Sequence, residues 1–132
     1  MELDQEKIGI ILVDHGSKHV EANNMLIEVA RIVREHLGGI VEHAHMELAE
    51  PTVAQAFSTC IRQGAEHIVV HPYFLAPGRH STIDIPCLAA AAAERFPGVS
   101  FAVTDPLGID ARLIEVVTER IAAVTKPEPS QR

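Results

Sequence analysis

The feature that most constrains the fold is a fourfold alternation of short apolar runs with amphipathic helical stretches. The first apolar run covers residues 8–14, and its continuity is typical of a central strand that is covered on both faces. Further strands are expected at residues 40–46, 67–74 and 99–104, and the strand at residues 40–46 is expected at an edge of the sheet. When strands alternate with helices in this way, right-handed crossovers and a parallel sheet are the default. The pattern therefore predicts an α/β fold with a four-stranded parallel sheet.

Helical periodicity follows each predicted strand. The first helix is expected at residues 20–37, where Gly38 and Gly39 supply the stop. The second is expected to begin with Pro51 at its first position and to end at Gly64. The last helix carries an apolar stripe at steps of three and four, formed by Leu113, Val117, Ile121 and Val124.

The third helix is open to two interpretations. Asp84 could cap a helix that begins at Ile85 and Pro86. The helix could instead begin near Ser81 and be kinked by Pro86, and this second interpretation is favoured. With no linker before residue 125, we expect one domain over residues 1–125 and a C-terminal tail over residues 126–132.

Composition excludes several classes of protein. With 132 residues, 47% of them hydrophobic, the chain is large enough for one domain with a core that needs no disulfides. It has 18 acidic and 11 basic residues, a net charge of -7 and no block of like charge, so a nucleic-acid partner is not expected. No apolar run approaches 18 residues, so no membrane span is expected either.

A cytoplasmic location is expected, or the plastid stroma if a transit peptide preceded this sequence and was removed.

Both cysteines, Cys60 and Cys87, fall inside helical patterns and are expected to be small buried hydrophobic residues. Two cysteines cannot supply the four thiolates that an iron–sulfur cluster needs, so no such cluster is expected.

Side chains able to bind metal or transfer protons follow three of the predicted strands. His15 closes the first strand, His45 and Glu47 close the second, and His80 lies in the turn after the third. Ligands of open parallel sheets bind outside the carboxyl ends of the strands, where the topology changes direction. A flavodoxin-like, three-layer arrangement with strand order 2-1-3-4 would bring His15 and His80 across one crevice.

Each of these residues also has a plain structural interpretation. His15 could be incidental to a phosphate-binding turn in which backbone amides do the work. His80 could be a solvent-facing residue at a helix N-terminus, and Glu47 a surface carboxylate. Lys18 and Arg79 flank the two histidines, either as solvated cations or as groups that recognise substrate carboxylates, a task suited to the forked guanidinium.

Three motifs carry a resemblance to a known family: VDHGS at residues 13–17, AHMELAEP at 44–51 and PYFLxPGRHxxxDIP at 72–86. In this order and at these spacings, from about Ile8 to Val124, the chain resembles the short-form class II chelatases of the CbiX/SirB family. The resemblance implies a sirohydrochlorin chelatase, which inserts Fe²⁺ or Co²⁺ into sirohydrochlorin for siroheme or cobalamin biosynthesis, with Ni²⁺ as a further candidate.

The resemblance also implies roles for particular residues. His15 and His80 are carried over as the pair that binds metal and accepts protons, and Glu47 as an auxiliary carboxylate that relays protons or holds the ion. The division of roles among these three is not decided by the sequence. The substrate-binding set expected beside them consists of Ser17, Lys18, His45, Arg79 and Ser81.

Sirohydrochlorin is the implied partner, the divalent metal is a substrate, and no permanently bound cofactor is expected. The family's short forms are homodimers that rebuild a two-lobed cleft, so a homodimer is implied as well. A non-catalytic metal or tetrapyrrole carrier using the same histidines is the alternative. A nucleotide or flavin binder is a weaker third possibility, because the chain lacks a GxGxxG or Walker A fingerprint.

Overall fold

Four parallel strands form one sheet in the order 2-1-3-4, as predicted. The computed structural model describes residues 7–125, and its strands are β1 (Ile8–Asp14), β2 (Ile40–His45), β3 (His67–Pro72) and β4 (Ser100–Val103). The predicted tail at residues 126–132 lies outside the described residues. The carboxyl end of β1 lies between those of β2 and β3, which places the segments that follow these three strands side by side.

Helices cover both faces of the sheet and give three layers. The helical elements are α1 (Val20–Leu37), α2 (Val53–Arg62), a π-helical turn (His80–Asp84), α3 (Ile85–Ala93) and α4 (Ala111–Thr125). On one face, α1 buries Leu26 and Ala30 against β1 and β2. On the other face, α2 and α3 bury a larger cluster around Phe57 and Ile85. None of the described helices is long and apolar enough to cross a membrane.

The start of α2 differs from the sequence prediction. The helix begins at Val53 rather than at Pro51, which lies upstream in a cis peptide bond with Glu50. Thr52 is the N-cap: its hydroxyl accepts a hydrogen bond from the backbone N–H of Gln55, at 3.1 Å, while the Gln55 side chain accepts one from the backbone N–H of Thr52, at 2.8 Å. This reciprocal capping box satisfies two N–H groups that the helix itself cannot pair, and it outweighs the preference of proline for the first helical position.

The third helical segment begins at His80, close to Ser81 as favoured from the sequence. It starts with a π turn in which the backbone N–H of Ile85 donates to the carbonyl of His80, and it continues directly as α3. Pro86 is the second residue of α3, and it has no N–H to donate to the carbonyls of the π turn that precedes it. A π turn therefore stands at this junction, and the kink expected at Pro86 stays a prediction.

The last helix forms where predicted, but it does not pack against the sheet. No residue of α4 is buried, and the side chains of Val117, Ile121 and Val124 in its apolar stripe are 50%, 54% and 85% exposed. The stripe is real, but the described chain leaves it uncovered.

Candidate functional site

His15 and His80 meet at the carboxyl edge of the sheet, as the predicted topology requires. His15 directly follows β1, and His80 begins the π turn after β3. The centroids of their rings are 4.7 Å apart and the ring planes are at 84°, an edge-to-face contact. Two residues 65 positions apart in the printed sequence are thus neighbours in one site.

Glu47 joins the two histidines. Its Oε2 atom lies 2.9 Å from Nε2 of His15, within ion-pair distance. The backbone holds Glu47 here, because its N–H donates to the carbonyl of His15 at 3.2 Å and the N–H of Met46 donates to the carbonyl of Asp14 at 2.9 Å. These bonds continue the β1–β2 pairing beyond the last residue of β2. A carboxylate at this distance can take up or pass on a proton carried by the His15 ring.

His80 has a carboxylate partner that sequence reasoning considered only as a helix cap. Nδ1 of His80 donates to Oδ2 of Asp84 at 3.1 Å, four residues along the π turn. Such a bond fixes the ring's tautomer and leaves the Nε2 lone pair for a metal ion or a proton. The signal available in the sequence was the spacing of four residues between His80 and Asp84 within PGRHxxxDIP.

The position of His45 does not fit the substrate-binding role expected for it. Its side chain is 1% exposed, and its Nδ1 donates to Oδ1 of Asp14 at 2.5 Å. A buried imidazole cannot contact a substrate at the mouth of the site. Because a buried polar group needs a partner, His45 and Asp14 satisfy each other beneath the segment that carries His15.

Ser81 is a second correction, and Ser17 is part of a local turn. Ser81 is 5% exposed, and its hydroxyl bonds to the backbone of Gly78, so it shapes the loop before the π turn instead of facing substrate. The backbone N–H of Ser17 donates to the side chain of Asn23 at 3.0 Å, and the Ser17 hydroxyl accepts from the N–H of His19 at 2.9 Å. Both serines therefore hold backbone in place.

The two predicted cations lie at the surface near the histidines. Lys18 is exposed in the segment between β1 and α1. The side chain of Arg79 is 79% exposed, and its Nε lies 3.8 Å from Oδ1 of Asp84. Asp84 therefore faces both Arg79 and His80, which places one positive charge at the entrance to the site.

Two clefts flank the histidine pair. One, of about 370 Å³, is lined by Glu47, His80 and Asp84 together with Met46, Cys87 and Leu88. The other, of about 360 Å³, includes His15, Gly16, Ser17 and the aromatic side chains of Tyr73 and Phe74. Cys87 is exposed here, contrary to the expectation that both cysteines are buried. It lies on the side of α3 that faces this cleft.

A preformed metal cage is absent from the part of the chain that the structure describes. Within residues 7–125, no three His, Cys, Asp or Glu side chains are already arranged around one metal position. The role of His15, His80 and Glu47 as metal ligands stays a prediction. Burial raises the pKa of the Cys60 thiol to about 12, which keeps it protonated and inert. The site offers imidazole nitrogens and nearby carboxylates in an open mouth, an arrangement suited to passing metal.

The chain is similar in sequence and fold to several known proteins. A sequence model of the CbiX family matches residues 9–124. The chloroplastic sirohydrochlorin ferrochelatase of Arabidopsis thaliana is 54% identical over 114 residues, which are 86% of this chain and 51% of that protein. The sirohydrochlorin cobaltochelatase of Sulfurisphaera tokodaii is 31% identical over 118 residues, 89% of this chain and 94% of that protein.

Among solved structures, SirB from Bacillus subtilis with Fe³⁺ superposes with a TM-score of 0.84 at 32% identity, covering 92% of this chain and 48% of that one. The chain thus spans about half the length of the Arabidopsis relative and of SirB, and nearly the whole length of the Sulfurisphaera relative.

Proposed function

Because this chain belongs to the CbiX family, we propose that it is a sirohydrochlorin chelatase, which inserts Fe²⁺ or Co²⁺ into sirohydrochlorin. The observation that carries the proposal is the contact between His15 and His80, each with a carboxylate beside it, at the open carboxyl edge of the sheet. Relatives named for the iron and the cobalt reaction both match over most of this chain. A cytoplasmic or plastid location is part of the proposal, since the Arabidopsis relative is chloroplastic.

The chemistry of insertion suits these residues. The reaction removes two pyrrole protons and delivers a partly desolvated metal ion to the ring nitrogens. Imidazole can perform both tasks, because its neutral form binds first-row metals and accepts protons near neutral pH. We assign metal delivery and proton acceptance to His15 and His80 jointly, and proton relay to Glu47.

Asp84 is added to this assignment as a positioning residue. Its hydrogen bond to Nδ1 directs Nε2 of His80 away from the π turn and so makes that nitrogen available. Water or substrate atoms would fill the metal positions that the side chains of the site leave open. A weakly bound metal ion is transferred to the substrate more readily, since a metal bound by a closed four-ligand set is not readily released.

We propose that the physiological metal is iron or cobalt, with nickel as a further candidate. Imidazole and carboxylate ligands bind all three ions. The order of their affinities depends more on the identity of the metal than on the ligands of the site. Metal choice is therefore settled by turnover measured with each ion and not by binding strength.

A homodimer completes the proposed enzyme. SirB contains about as much chain again beyond the part that this protein matches, whereas the Sulfurisphaera relative does not. A second copy of this chain would bring a second histidine pair to the same cleft.

Anaerobic incubation of the protein with sirohydrochlorin and Co²⁺ or Fe²⁺, followed by visible spectroscopy, tests the activity. We expect His15→Ala and His80→Ala each to lose most of the insertion rate and to keep the far-UV circular dichroism of the wild type, because both side chains are exposed. Glu47→Gln should lose less, since water can replace an auxiliary carboxylate. His36→Ala, an exposed histidine near the end of α1, is the matched control and should keep full activity.

Two results would overturn the proposal. Full activity in either histidine variant would remove that residue from the mechanism. Product that stops at one equivalent per chain would indicate a metal or tetrapyrrole carrier that uses the same residues without turnover.

A further inference from the structure

A groove leads away from the histidine site along the packed helices α2 and α3. It begins at the cleft that contains His80 and Glu47. A second cleft, of about 270 Å³, shares Met46 and Leu88 with the first. Side chains from the start of α2 and from α3 line this second cleft, and most of them are apolar. The two clefts are therefore consecutive stretches of one groove.

Arg95 lies at the other end of this groove. It follows the C-terminus of α3, yet it lines the second cleft together with Thr52 and Ala54 at the beginning of α2. The same three residues line a third cleft of about 540 Å³, which also contains Phe96. The three clefts form the α2–α3 groove. Because Arg95 shares its walls with the first turn of α2, its side chain brings a positive charge to an otherwise largely apolar channel.

The guanidinium of Arg95 is available to a ligand. Other exposed arginines of the described chain form ion pairs with carboxylates, among them Arg31, Arg79 and Arg112. Within residues 7–125, the Arg95 side chain has no hydrogen bond or ion pair. The protein has a net charge of -7, so acidic side chains are plentiful, yet none pairs with this one. An unpaired guanidinium that lines a groove can bind an anion from outside the chain.

The two ends of the α2–α3 groove carry opposite charge. Glu47 and Asp84 lie at the end that meets the histidines, and Arg95 lies at the other end. Apolar side chains line the stretch between them. A polycarboxylate tetrapyrrole has the same order of features. Its central nitrogens receive the metal cation, a flat apolar ring surrounds them, and anionic carboxylates project from the periphery.

We propose that Arg95 binds a peripheral carboxylate of sirohydrochlorin while one edge of the macrocycle lies in the α2–α3 groove. The forked guanidinium donates two parallel hydrogen bonds to one carboxylate. This contact adds affinity and orients the ring with its central nitrogens towards the histidines. The inference rests on the proposed chelatase function and adds to it a residue that selects carboxylated tetrapyrroles.

Calorimetric titration with metal-free sirohydrochlorin measures this binding without turnover. We expect Arg95→Gln to raise the dissociation constant about 5- to 10-fold, between the loss for an exposed ion pair and that for a charged hydrogen bond. Arg31→Gln is the control, because it changes the net charge equally on α1, at the other face of the sheet. It should bind as the wild type does. An unchanged constant in Arg95→Gln, or an equal rise in Arg31→Gln, would overturn the assignment.

Two adjacent alanines of α3 test whether the ring lies in the groove. Both are exposed, but Ala91 lines the α2–α3 groove and Ala90 does not. Ala91→Trp fills the groove and should weaken binding at least as much as Arg95→Gln does, whereas Ala90→Trp should bind as the wild type does. Far-UV circular dichroism checks that both variants fold. Equally tight binding by the two folded variants would overturn the placement of the ring.

Steady-state insertion kinetics separate this inference from the chelatase function. We expect Arg95→Gln to raise the KM for sirohydrochlorin and to keep kcat, because the contact is made equally in the bound substrate and in the transition state. A lowered kcat at unchanged KM would contradict this role. Binding that depends on Arg95 in a protein without turnover would remove the chelatase function and keep the groove. Normal insertion with binding independent of Arg95 would do the reverse.

Discussion

A glycine and a backbone carbonyl set the position of the His15 side chain. Gly16 follows His15 with φ +95°, a conformation that L-residues rarely adopt. A Cβ atom at this position would lie 1.9 Å from the carbonyl oxygen of Glu47. The close approach of these two segments brings the His15 ring and the Glu47 carboxylate together, so the missing side chain of Gly16 is a condition for the site.

We expect Gly16→Ala to destabilise the protein by more than about 2 kcal/mol, because the left-handed backbone alone costs about 1–2 kcal/mol and the clash with Glu47 adds to it. The insertion rate should fall as well, since Glu47 must move. Urea unfolding measures the first effect. Gly78→Ala is the control: nothing lies within 4 Å of its Cβ position, so we expect a change within about 0.5 kcal/mol. Equal unfolding midpoints for the two variants would refute this account.

At the scale of elements, the helices decide which side chains reach the mouth. The capping box at Thr52 fixes the first turn of α2 directly after the loop that carries Glu47. The π turn at His80–Asp84 places His80 and Asp84 close enough for a hydrogen bond. Single π turns occur often at functional sites, and this one carries two of the groups assigned to metal insertion.

Removal of the cap should loosen α2. We expect Thr52→Ala to lower the free energy of unfolding by about 1 kcal/mol, the usual cost of losing an N-cap hydroxyl. Thr52→Ser retains the hydroxyl and should remain within a few tenths of a kcal/mol of the wild type. Chemical denaturation of the three proteins at one pH tests this, and a Thr52→Ala variant as stable as the wild type would contradict it.

At the scale of the whole molecule, net charge affects the encounter with substrate, and the burial of histidines affects stability in acid. The protein carries a net charge of -7, and the substrate of the proposed reaction is a polycarboxylate, so overall electrostatics oppose their encounter. Local cations must compensate. Arg79 is the cation beside His80 and Asp84, and it is mostly exposed.

We therefore expect Arg79→Ala to raise the apparent KM for sirohydrochlorin more than it lowers kcat. The change should be about 1.4- to 5-fold, because exposed charge pairs contribute only about 0.2–1 kcal/mol. Added salt should raise the KM of the wild type more than that of the variant, since screening acts within about 10 Å at 0.1 M. Steady-state kinetics at two salt concentrations decide this, and an unchanged KM would return Arg79 to the role of a solvated residue.

Partly buried histidines should make the protein sensitive to acid. Burial lowers the pKa of His71, and burial together with nearby His45 lowers that of His43. In the unfolded chain both titrate near the ordinary value of about 6.5. Because the folded state binds these protons less readily, stability is retained above pH 6.5 and is lost as the pH falls below it, towards the lowered pKa values.

Urea unfolding midpoints at pH 7.5 and pH 5.5 measure this loss. We expect His71→Gln to lose less stability between the two pH values than the wild type does. His36→Gln, at an exposed position on α1, should lose as much as the wild type. The same loss in His71→Gln as in the wild type would exclude His71 as a source of the acid sensitivity.

By itself, the sequence determined the local structure and the residues that meet at the mouth. The alternation of apolar runs and helical stripes predicted four parallel strands, and the strand order placed His15 and His80 on one crevice. These predictions succeeded because periodicity reports which side of each element is apolar, and parallel topology fixes which strand ends are neighbours.

Only the tertiary structure decided what lies over each side chain. His45 and Ser81 are buried, Cys87 is exposed, Asp84 pairs with His80, and the apolar stripe of α4 is left open. A sequence pattern shows that a surface is suited to burial, but not which distant segment covers it. That depends on the path of the chain through space.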